Sequence, residues 1–155
     1  MSYWQLYYHV VWATQKREPA IRVGLEPGLY ACLRDKAIEL GTTVHALGGV
    51  EDHVHAVLSI PPRIAVASCV GQLKGASSHW ANHLPGYSAR LEWQEGYGVF
   101  SFSARSLPSL ARYVLDQRRR HEAGRLVAAL ERIPGQALRL HCGRPLDGTG
   151  PEAPS

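Results

Sequence analysis

Long apolar stretches are missing from this chain of 155 residues. A helix that spans a bilayer needs about 20 consecutive apolar residues, and no run of that kind occurs. The first residues, Met1-Ser2-Tyr3-Trp4, also lack the basic region and apolar core of a secretion signal. With 45% hydrophobic and 19% charged residues, the composition is that of an ordinary globular domain. We therefore expect a cytoplasmic protein.

Cysteine is scarce, and a phosphate-binding loop is absent. Cys32, Cys69 and Cys142 are an odd number without CxxC spacing, which argues against a disulfide framework and against a thiolate zinc site. The segment Lys74-Gly75-Ala76-Ser77-Ser78 joins a cation to small hydroxyl residues that can contact phosphates. It does not follow a strand and is not glycine-rich, so a nucleotidase-type phosphate loop is excluded.

Acidic residues are few in the C-terminal third of the chain. Residues 1–103 hold eight basic and eight acidic side chains, whereas residues 104–144 hold nine arginines against three acids. A basic stripe on one element is expected of a protein that binds a polyanion. A solvated helix face has the same composition. Charge alone leaves both interpretations open.

Apolar periodicity and turn residues predict alternating strands and helices. Strands are predicted at 3–14, 42–48, 53–60, 91–94 and 97–103, the last two as a hairpin. Helices are predicted at 27–40, at 64–82 and from 106 beyond 120 with a break at Gly124, followed by a helical piece to about 132. This order predicts an α+β fold, an antiparallel β-sheet with helices packed on it, of ferredoxin-like type. Residues 1–134 form one predicted domain, and residues 135–155 a C-terminal extension whose Gly/Pro-rich tail is expected to be disordered.

A pair of histidines, His53 and His55, begins the predicted third strand. Side chains alternate across a strand, so both imidazoles project from one face and can converge on one ion. Paired histidines on a half-exposed sheet also often form ordinary hydrogen bonds. Spacing alone does not separate a metal site from that simpler interpretation.

The third predicted helix carries Tyr113 and Gln117 four residues apart, and hence on one side of the helix. We interpret the two stretches together. A divalent ion held by His53, His55 and the Gln117 amide oxygen would polarise a phosphodiester, and the Tyr113 hydroxyl would attack it to form a phosphotyrosine. Such nitrogen and oxygen ligands suit Mg²⁺ or Mn²⁺. Taken singly, Tyr113 is also typical of a half-buried helix tyrosine and Gln117 of a solvated polar residue.

Five sequence blocks occur in order between about Tyr3 and Ile133. They are Tyr7 to Thr14 with Arg17-Glu18-Pro19, Glu51 to His55, Leu73 to Ser78, Trp93 to Ser101, and Tyr113 to Gln117. Together they resemble the small single-tyrosine transposases of insertion sequences of the 200/605 type, members of the HUH (His-hydrophobic-His) nuclease superfamily.

The resemblance implies an HUH endonuclease type of fold and a DNA transposase that cleaves and rejoins single-stranded DNA with hairpin ends. His53, His55 and Gln117 would be the metal ligands. Tyr113 would be the nucleophile, leaving a 5′-phosphotyrosine and a free 3′-hydroxyl. The family works as a homodimer, commonly with the tyrosine helix of one subunit at the other subunit's metal site. From their charge and position, we expect DNA contacts from Lys74, Arg112, Arg118, Arg119 and Arg120.

Two other functions remain open at this point. The first is a domesticated relative that applies the same nicking and joining chemistry to host repeats. The second is a non-catalytic nucleic-acid-binding module on a ferredoxin-like sheet. Such modules usually have surface aromatics on the central strands, without a metal pair or a helix tyrosine.

Overall fold

A computed structural model describes residues 1–134 as one four-stranded sheet with helices. The strands are β1 (Tyr7–Ala13), β2 (Thr43–Val50), β3 (His53–Ser59) and β4 (Gly98–Phe102). The helices are α1 (Glu26–Glu39), α2 (Val66–Asn82), α3 (Leu107–Leu115) and α4 (Gln117–Glu122), with 3₁₀ turns at Gln15–Arg17, Ala104–Ser106 and Ala128–Leu130. The sheet order is β2-β3-β1-β4, and all neighbouring strands are antiparallel. This arrangement confirms the predicted ferredoxin-like α+β fold.

One side of the sheet, which we call the apolar face, packs against α1 and α2. On β1 it presents Val10 and Trp12, and on the paired strand β3 it presents Val54, Ala56 and Leu58. Helix α1 meets this face with a stripe of buried residues at a spacing of four, namely Leu29, Leu33 and Ala37. The alternation of the strands and the helical spacing of α1 therefore meet in the main hydrophobic core.

The opposite side of the sheet, which we call the site face, carries the histidines. His53, His55 and Val57 on β3 project there, beside His9 and Val11 on β1. Helix α3 covers part of this face through Tyr113 and Val114, which pack with Ala46 and Val57. Farther along, Ile133 packs with Val11 and Ala13. The site face is thus covered by the part of the chain that follows β4.

Glycine at position 48 allows α3 to approach the sheet closely. A Cβ atom at this position would lie 1.9 Å from the backbone oxygen of Val114. This distance is far below van der Waals contact, so any side chain here would clash with α3. Gly48 ends the predicted strand 42–48, but β2 continues to Val50, so Gly48 lies within the strand and only Glu51-Asp52 form the turn to β3. Gly48 is therefore needed for packing rather than for chain reversal.

The predicted strand at 91–94 is wrong. Within the described residues this segment makes only an isolated bridge, between Trp93 and Thr14. β4 pairs with Tyr7–Val11 of β1, so the segment meets only the end of β1. There the Gln94 N–H donates to the Ala13 oxygen and the Gln15 N–H to the Glu92 oxygen. Side chains of α2 bind the rest of the segment's backbone. Asn82 exchanges two hydrogen bonds with Leu91, and the Lys74 ammonium donates to the oxygens of Gln94 and Gly96.

Smaller differences concern the ends of elements. β1 begins at Tyr7 rather than at residue 3, because β3 and β4 both end opposite Tyr7. The third predicted helix is interrupted at Asp116, and Gly124, with φ of +64°, lies just after α4. None of the helices within residues 1–134 is both long and apolar enough to cross a bilayer. The extension 135–155, with Cys142, lies outside the described residues.

Candidate active site

His53 and His55 lie on β3 with side chains only 1% and 0% exposed. Each ring is held through its Nδ1 atom. The His53 Nδ1 lies 2.6 Å from Asp52 Oδ1, and the His55 Nδ1 lies 2.8 Å from His9 Nε2. Their Nε2 atoms face one carboxylate oxygen, Glu131 Oε2, at 3.5 and 3.1 Å. Histidines that bind metals commonly have the second ring nitrogen held in this way.

Helices α3 and α4 bring Tyr113 and Gln117 to the same place. The chain breaks regular helix at Asp116 between them, yet both side chains are buried and both reach Glu131 Oε1. The Tyr113 hydroxyl donates to this oxygen at 2.5 Å and the Gln117 amide nitrogen at 3.3 Å. One chain thus assembles the predicted nucleophile and the three predicted ligands into one cluster.

Glu131 is a site residue that the sequence analysis missed. It follows the 3₁₀ turn Ala128–Leu130, and its two carboxylate oxygens face different residues of the cluster. Oε2 faces the histidines, while Oε1 faces Tyr113 and Gln117. No spacing rule connects Glu131 to the histidines, because 76 positions separate it from His55. The only sequence signal was an isolated acid in an arginine-rich region.

The donor atoms of this cluster fit a divalent ion. Ligand atoms of His53, His55 and Glu131 all lie within 4.8 Å of one another. Two further observations point to a missing partner: the buried atoms His53 Nε2 and Gln117 Oε1 have no hydrogen bond within residues 1–134. Buried polar atoms are rarely left in this state. Imidazole nitrogen combined with carboxylate and amide oxygen is a donor set suited to divalent metal ions.

Burial and mutual contacts shift the pKa values in the cluster. Burial alone would raise the pKa of Glu131, but the His53 and His55 rings beside its carboxylate hold it far below its ordinary value. Burial lowers the pKa of His55. It also opposes protonation of His53, but the hydrogen bond to Asp52 and the nearby Glu131 carboxylate nevertheless raise the pKa of His53. Burial and His55 together lower the pKa of His9 to about 3, so this ring is neutral.

The hydroxyl of Tyr113 is held by more than Glu131. It accepts a hydrogen bond from the Val127 backbone N–H at 3.0 Å, and the Arg120 guanidinium carbon lies 4.5 Å from the ring centroid. Burial and the hydrogen bond to Glu131 raise the pKa of Tyr113. The Val127 N–H acts in the opposite sense, since it favours negative charge on the phenolic oxygen and so lowers the pKa.

His121 is a second site residue absent from the sequence analysis. Its ring centroid lies 4.9 Å from that of His53, and its Nε2 lies 4.0 Å from Glu131 Oε2. The signal was available in this case. His121 follows Gln117 by four residues, as Gln117 follows Tyr113, so the three share one side of the helical region.

The five cations predicted to bind DNA have different surroundings. Arg112 and Arg119 are exposed on α3 and α4. Arg118 forms ion pairs with Glu26 at 2.9 Å and Glu51 at 2.8 Å. Arg120 covers Tyr113, and Lys74 holds the 94–96 backbone. The structure therefore leaves two of the five without a protein partner among the described residues.

The chain is similar to known transposases. The family model described as "Transposase IS200 like" matches residues 2–117. The ISDra2 transposase TnpA of Deinococcus radiodurans is 28% identical over 127 residues, covering 74% of this chain and 85% of that protein. The transposase of insertion sequence element IS200 from Salmonella typhimurium is 31% identical over 101 residues, covering 62% and 66% of the two chains.

Two solved structures resemble the fold. A crystal structure described as that of a transposase from Deinococcus radiodurans R1 aligns with a TM-score of 0.58 and 27% identity, covering 74% of this chain and 92% of the other. A REP-associated tyrosine transposase bound to a REP hairpin aligns with the same TM-score at 11% identity, covering 81% and 76%. At that identity the second similarity concerns the fold alone. The family model spans most of the chain, and we conclude that this protein belongs to the IS200-like transposase family and is a DNA transposase.

Proposed function

We propose that the protein cleaves and rejoins single-stranded DNA at insertion-sequence ends through a 5′-phosphotyrosine on Tyr113. One observation supports this most directly. The Tyr113 hydroxyl and the Nε2 atoms of both histidines converge on the two oxygens of one carboxylate, Glu131. A nucleophile and metal-binding nitrogens in one cluster are the requirements of metal-assisted phosphoryl transfer.

The proposed step is a transesterification. A bond forms between the Tyr113 oxygen and phosphorus, and the bond from phosphorus to the 3′-oxygen breaks. Tyr113 loses its proton, and the departing 3′-oxygen gains one to become a hydroxyl. Attack by a 3′-hydroxyl on the phosphotyrosine reverses the step and rejoins a strand. The number of phosphodiester bonds is conserved, so no external energy source is required.

We propose that His53, His55 and Gln117 hold Mg²⁺ or Mn²⁺, with Glu131 as a further oxygen donor. The bound ion would supply Lewis-acid polarisation of the phosphodiester. Residues of the chain orient the reacting groups: Asp52 orients His53, and Glu131 orients the Tyr113 hydroxyl through its hydrogen bond. Val127 N–H and Arg120 would stabilise the phenolic oxygen as it loses its proton.

For DNA recognition we propose hairpin ends as the substrate and Arg112 and Arg119 as backbone contacts. Support for the hairpin comes from the structural neighbour, a tyrosine transposase bound to a REP hairpin. Support for the two arginines is their exposure on the helices that carry Tyr113 and Gln117. Lys74 and Arg118 are better assigned to holding protein elements together.

We also propose that the protein is cytoplasmic and that, as the family resemblance implies, it forms a homodimer. Tyr113 lies beside His53 and His55 of its own chain in this structure. A dimer of this form would have two complete sites, each built from one subunit. Mixing Tyr113→Phe and His53→Ala protein tests this arrangement, since activity recovered in the mixture would require a site shared between subunits.

The direct test uses purified protein, Mn²⁺ or Mg²⁺, and labelled single-stranded DNA from the ends flanking the gene. We expect a protein–DNA adduct that survives denaturation, requires the metal and is lost in Tyr113→Phe and His53→Ala. Tyr87→Phe is the matched control, because the Tyr87 hydroxyl bonds Ala20 far from the cluster. Tight hairpin binding without an adduct in the wild type would contradict the proposed chemistry and favour a binding protein.

A further inference from the structure

His9 is a buried histidine beside the proposed metal ligands with no assigned role. It lies on β1 with 0% exposure, diagonally across from His55 on the site face. The two rings are nearly parallel, with centroids 5.0 Å apart and planes at 11°. The His9 Nε2 and the His55 Nδ1 are 2.8 Å apart, which is a hydrogen-bond distance.

The only polar contact of the His9 side chain within residues 1–134 is His55. Its other ring nitrogen, Nδ1, is buried and has no hydrogen-bond partner in this part of the chain. Burying a polar ring with one nitrogen unpaired costs stability. If packing were the only requirement, a phenylalanine would meet it without that cost. The polar character of position 9 is therefore explained by its contact with His55.

The direction of this hydrogen bond matters for binding an ion. A neutral imidazole has one protonated and one unprotonated nitrogen, and only the unprotonated nitrogen can bind a metal. His55 can present an unprotonated Nε2 to the cluster only when its Nδ1 carries the proton. That Nδ1–H then needs an acceptor, and His9 Nε2 is placed to be one.

We propose that His9 is a positioning residue that holds His55 in the orientation and tautomer in which its Nε2 can bind the divalent ion. This inference rests on the proposed function of His55. It also accounts for a difference within the pair: His53 is held by the carboxylate of Asp52, whereas His55 is held by a neutral ring. Groups that orient metal ligands typically change metal affinity about 10- to 100-fold when they are removed.

The test measures Mn²⁺ binding by calorimetry without DNA, so that metal affinity is separated from cleavage. We expect the Kd for Mn²⁺ to rise about 10- to 100-fold in His9→Phe, which keeps an aromatic ring but has no acceptor. In His9→Gln the side-chain amide reaches about as far as the imidazole Nε2 and should largely restore affinity. In His9→Asn the amide reaches only the Nδ1 position and should not.

His45→Phe is the matched control, because His45 bonds Ser59 on the same sheet rather than a proposed ligand. Unchanged Mn²⁺ affinity in His9→Phe, alongside lost affinity in His55→Ala, would overturn the role of His9 and leave the metal site intact. Absence of Mn²⁺ binding to the wild type would overturn the metal site itself. Equal weakening in the glutamine and phenylalanine variants would also overturn the proposal, since it would indicate a steric role.

A second measurement does not depend on the variants folding. Nitrogen-15 NMR of the wild-type protein with Mg²⁺ identifies which nitrogen of each histidine carries the proton. We expect the proton of His55 on Nδ1 with a hydrogen-bond coupling to His9 Nε2. A proton on His55 Nε2 in the Mg²⁺-bound protein would overturn the proposal.

Discussion

The two faces of the sheet use the same strands for different purposes. On β3, Val54, Ala56 and Leu58 enter the main core, while His53 and His55, which alternate with them, enter the polar cluster. Both faces are buried, but only the apolar face is buried by hydrophobic contact throughout. The site face combines two small hydrophobic clusters with hydrogen bonds among side chains that come from β1, β3, α4 and the segment after it. Neighbouring residues of β3 thus point to opposite faces, one set to the main core and the other to the site.

Truncating the apolar face should give the largest loss of stability. Leu58→Ala removes a fully buried side chain, and we expect the free energy of unfolding to fall by about 2–5 kcal/mol. Urea denaturation measures this. Under native conditions the folded fraction should still bind Mn²⁺ with wild-type affinity. A large change in Mn²⁺ affinity would show that the two faces are not separable.

Disturbing the packing of α3 against the sheet should give the next largest loss of stability. In Gly48→Ala the new Cβ meets the Val114 carbonyl oxygen, so α3 must move together with the neighbouring Tyr113. We expect the free energy of unfolding to fall by about 1–3 kcal/mol. We also expect the rate of adduct formation by the folded protein to fall, because Tyr113 moves with α3.

Gly71→Ala on α2 is the control for this substitution. Nothing lies within 4 Å of a Cβ atom there, and alanine favours helix by up to about 1 kcal/mol. It should leave adduct formation unchanged. Equal adduct rates in the two variants would contradict the account of Gly48.

The site face should make stability depend on pH in a way the apolar face cannot. The pKa of His9 falls from 6.5 to about 3, so between these values the unfolded chain binds a proton that the folded chain does not. Stability contributed by neutral His9 is therefore present above pH 6.5 and is lost as pH falls towards 3. Between pH 7 and pH 5 the loss is about 2 kcal/mol.

His9→Gln lacks this ionisation and isolates its effect. Unfolding in urea with a chelator present, at pH 7 and pH 5, should show the wild type losing about 2 kcal/mol more than the variant. If the free energy of unfolding changed equally with pH in the wild type and His9→Gln, folding would not lower the pKa of His9.

The smallest effects should distinguish two adjacent arginines. Arg118→Ala breaks partly exposed ion pairs to Glu26 and Glu51 and should cost at most about 1 kcal/mol of stability. Arg119→Ala should leave stability unchanged. If Arg119 contacts one phosphate, its loss should reduce the slope of log affinity for single-stranded DNA against log salt by about 0.7. A reduced slope in Arg118→Ala alone would reverse these assignments.

Sequence patterns predicted features that depend on neighbouring residues along the chain. The alternation in β3 placed His53 and His55 on one face, and the spacing of Tyr113 and Gln117 placed them on one side of a helical region. The failures were of another kind. The segment 91–94 has a strand-like composition, but its backbone is bound by Asn82 and Lys74 of α2. Glu131 has no local pattern that distinguishes it from a surface acid.

By itself, the sequence determined most of the element order, the ferredoxin-like fold and the family, because periodicity and motif spacing are local properties of the chain. Only the tertiary structure decided that His9, His121 and Glu131 join the cluster, and that Arg118 and Lys74 serve protein contacts. A hydrogen bond between residues 46 or 76 positions apart, such as those of His55 with His9 and Glu131, is determined by strand pairing and packing. The chemistry of this site depends on those distant contacts.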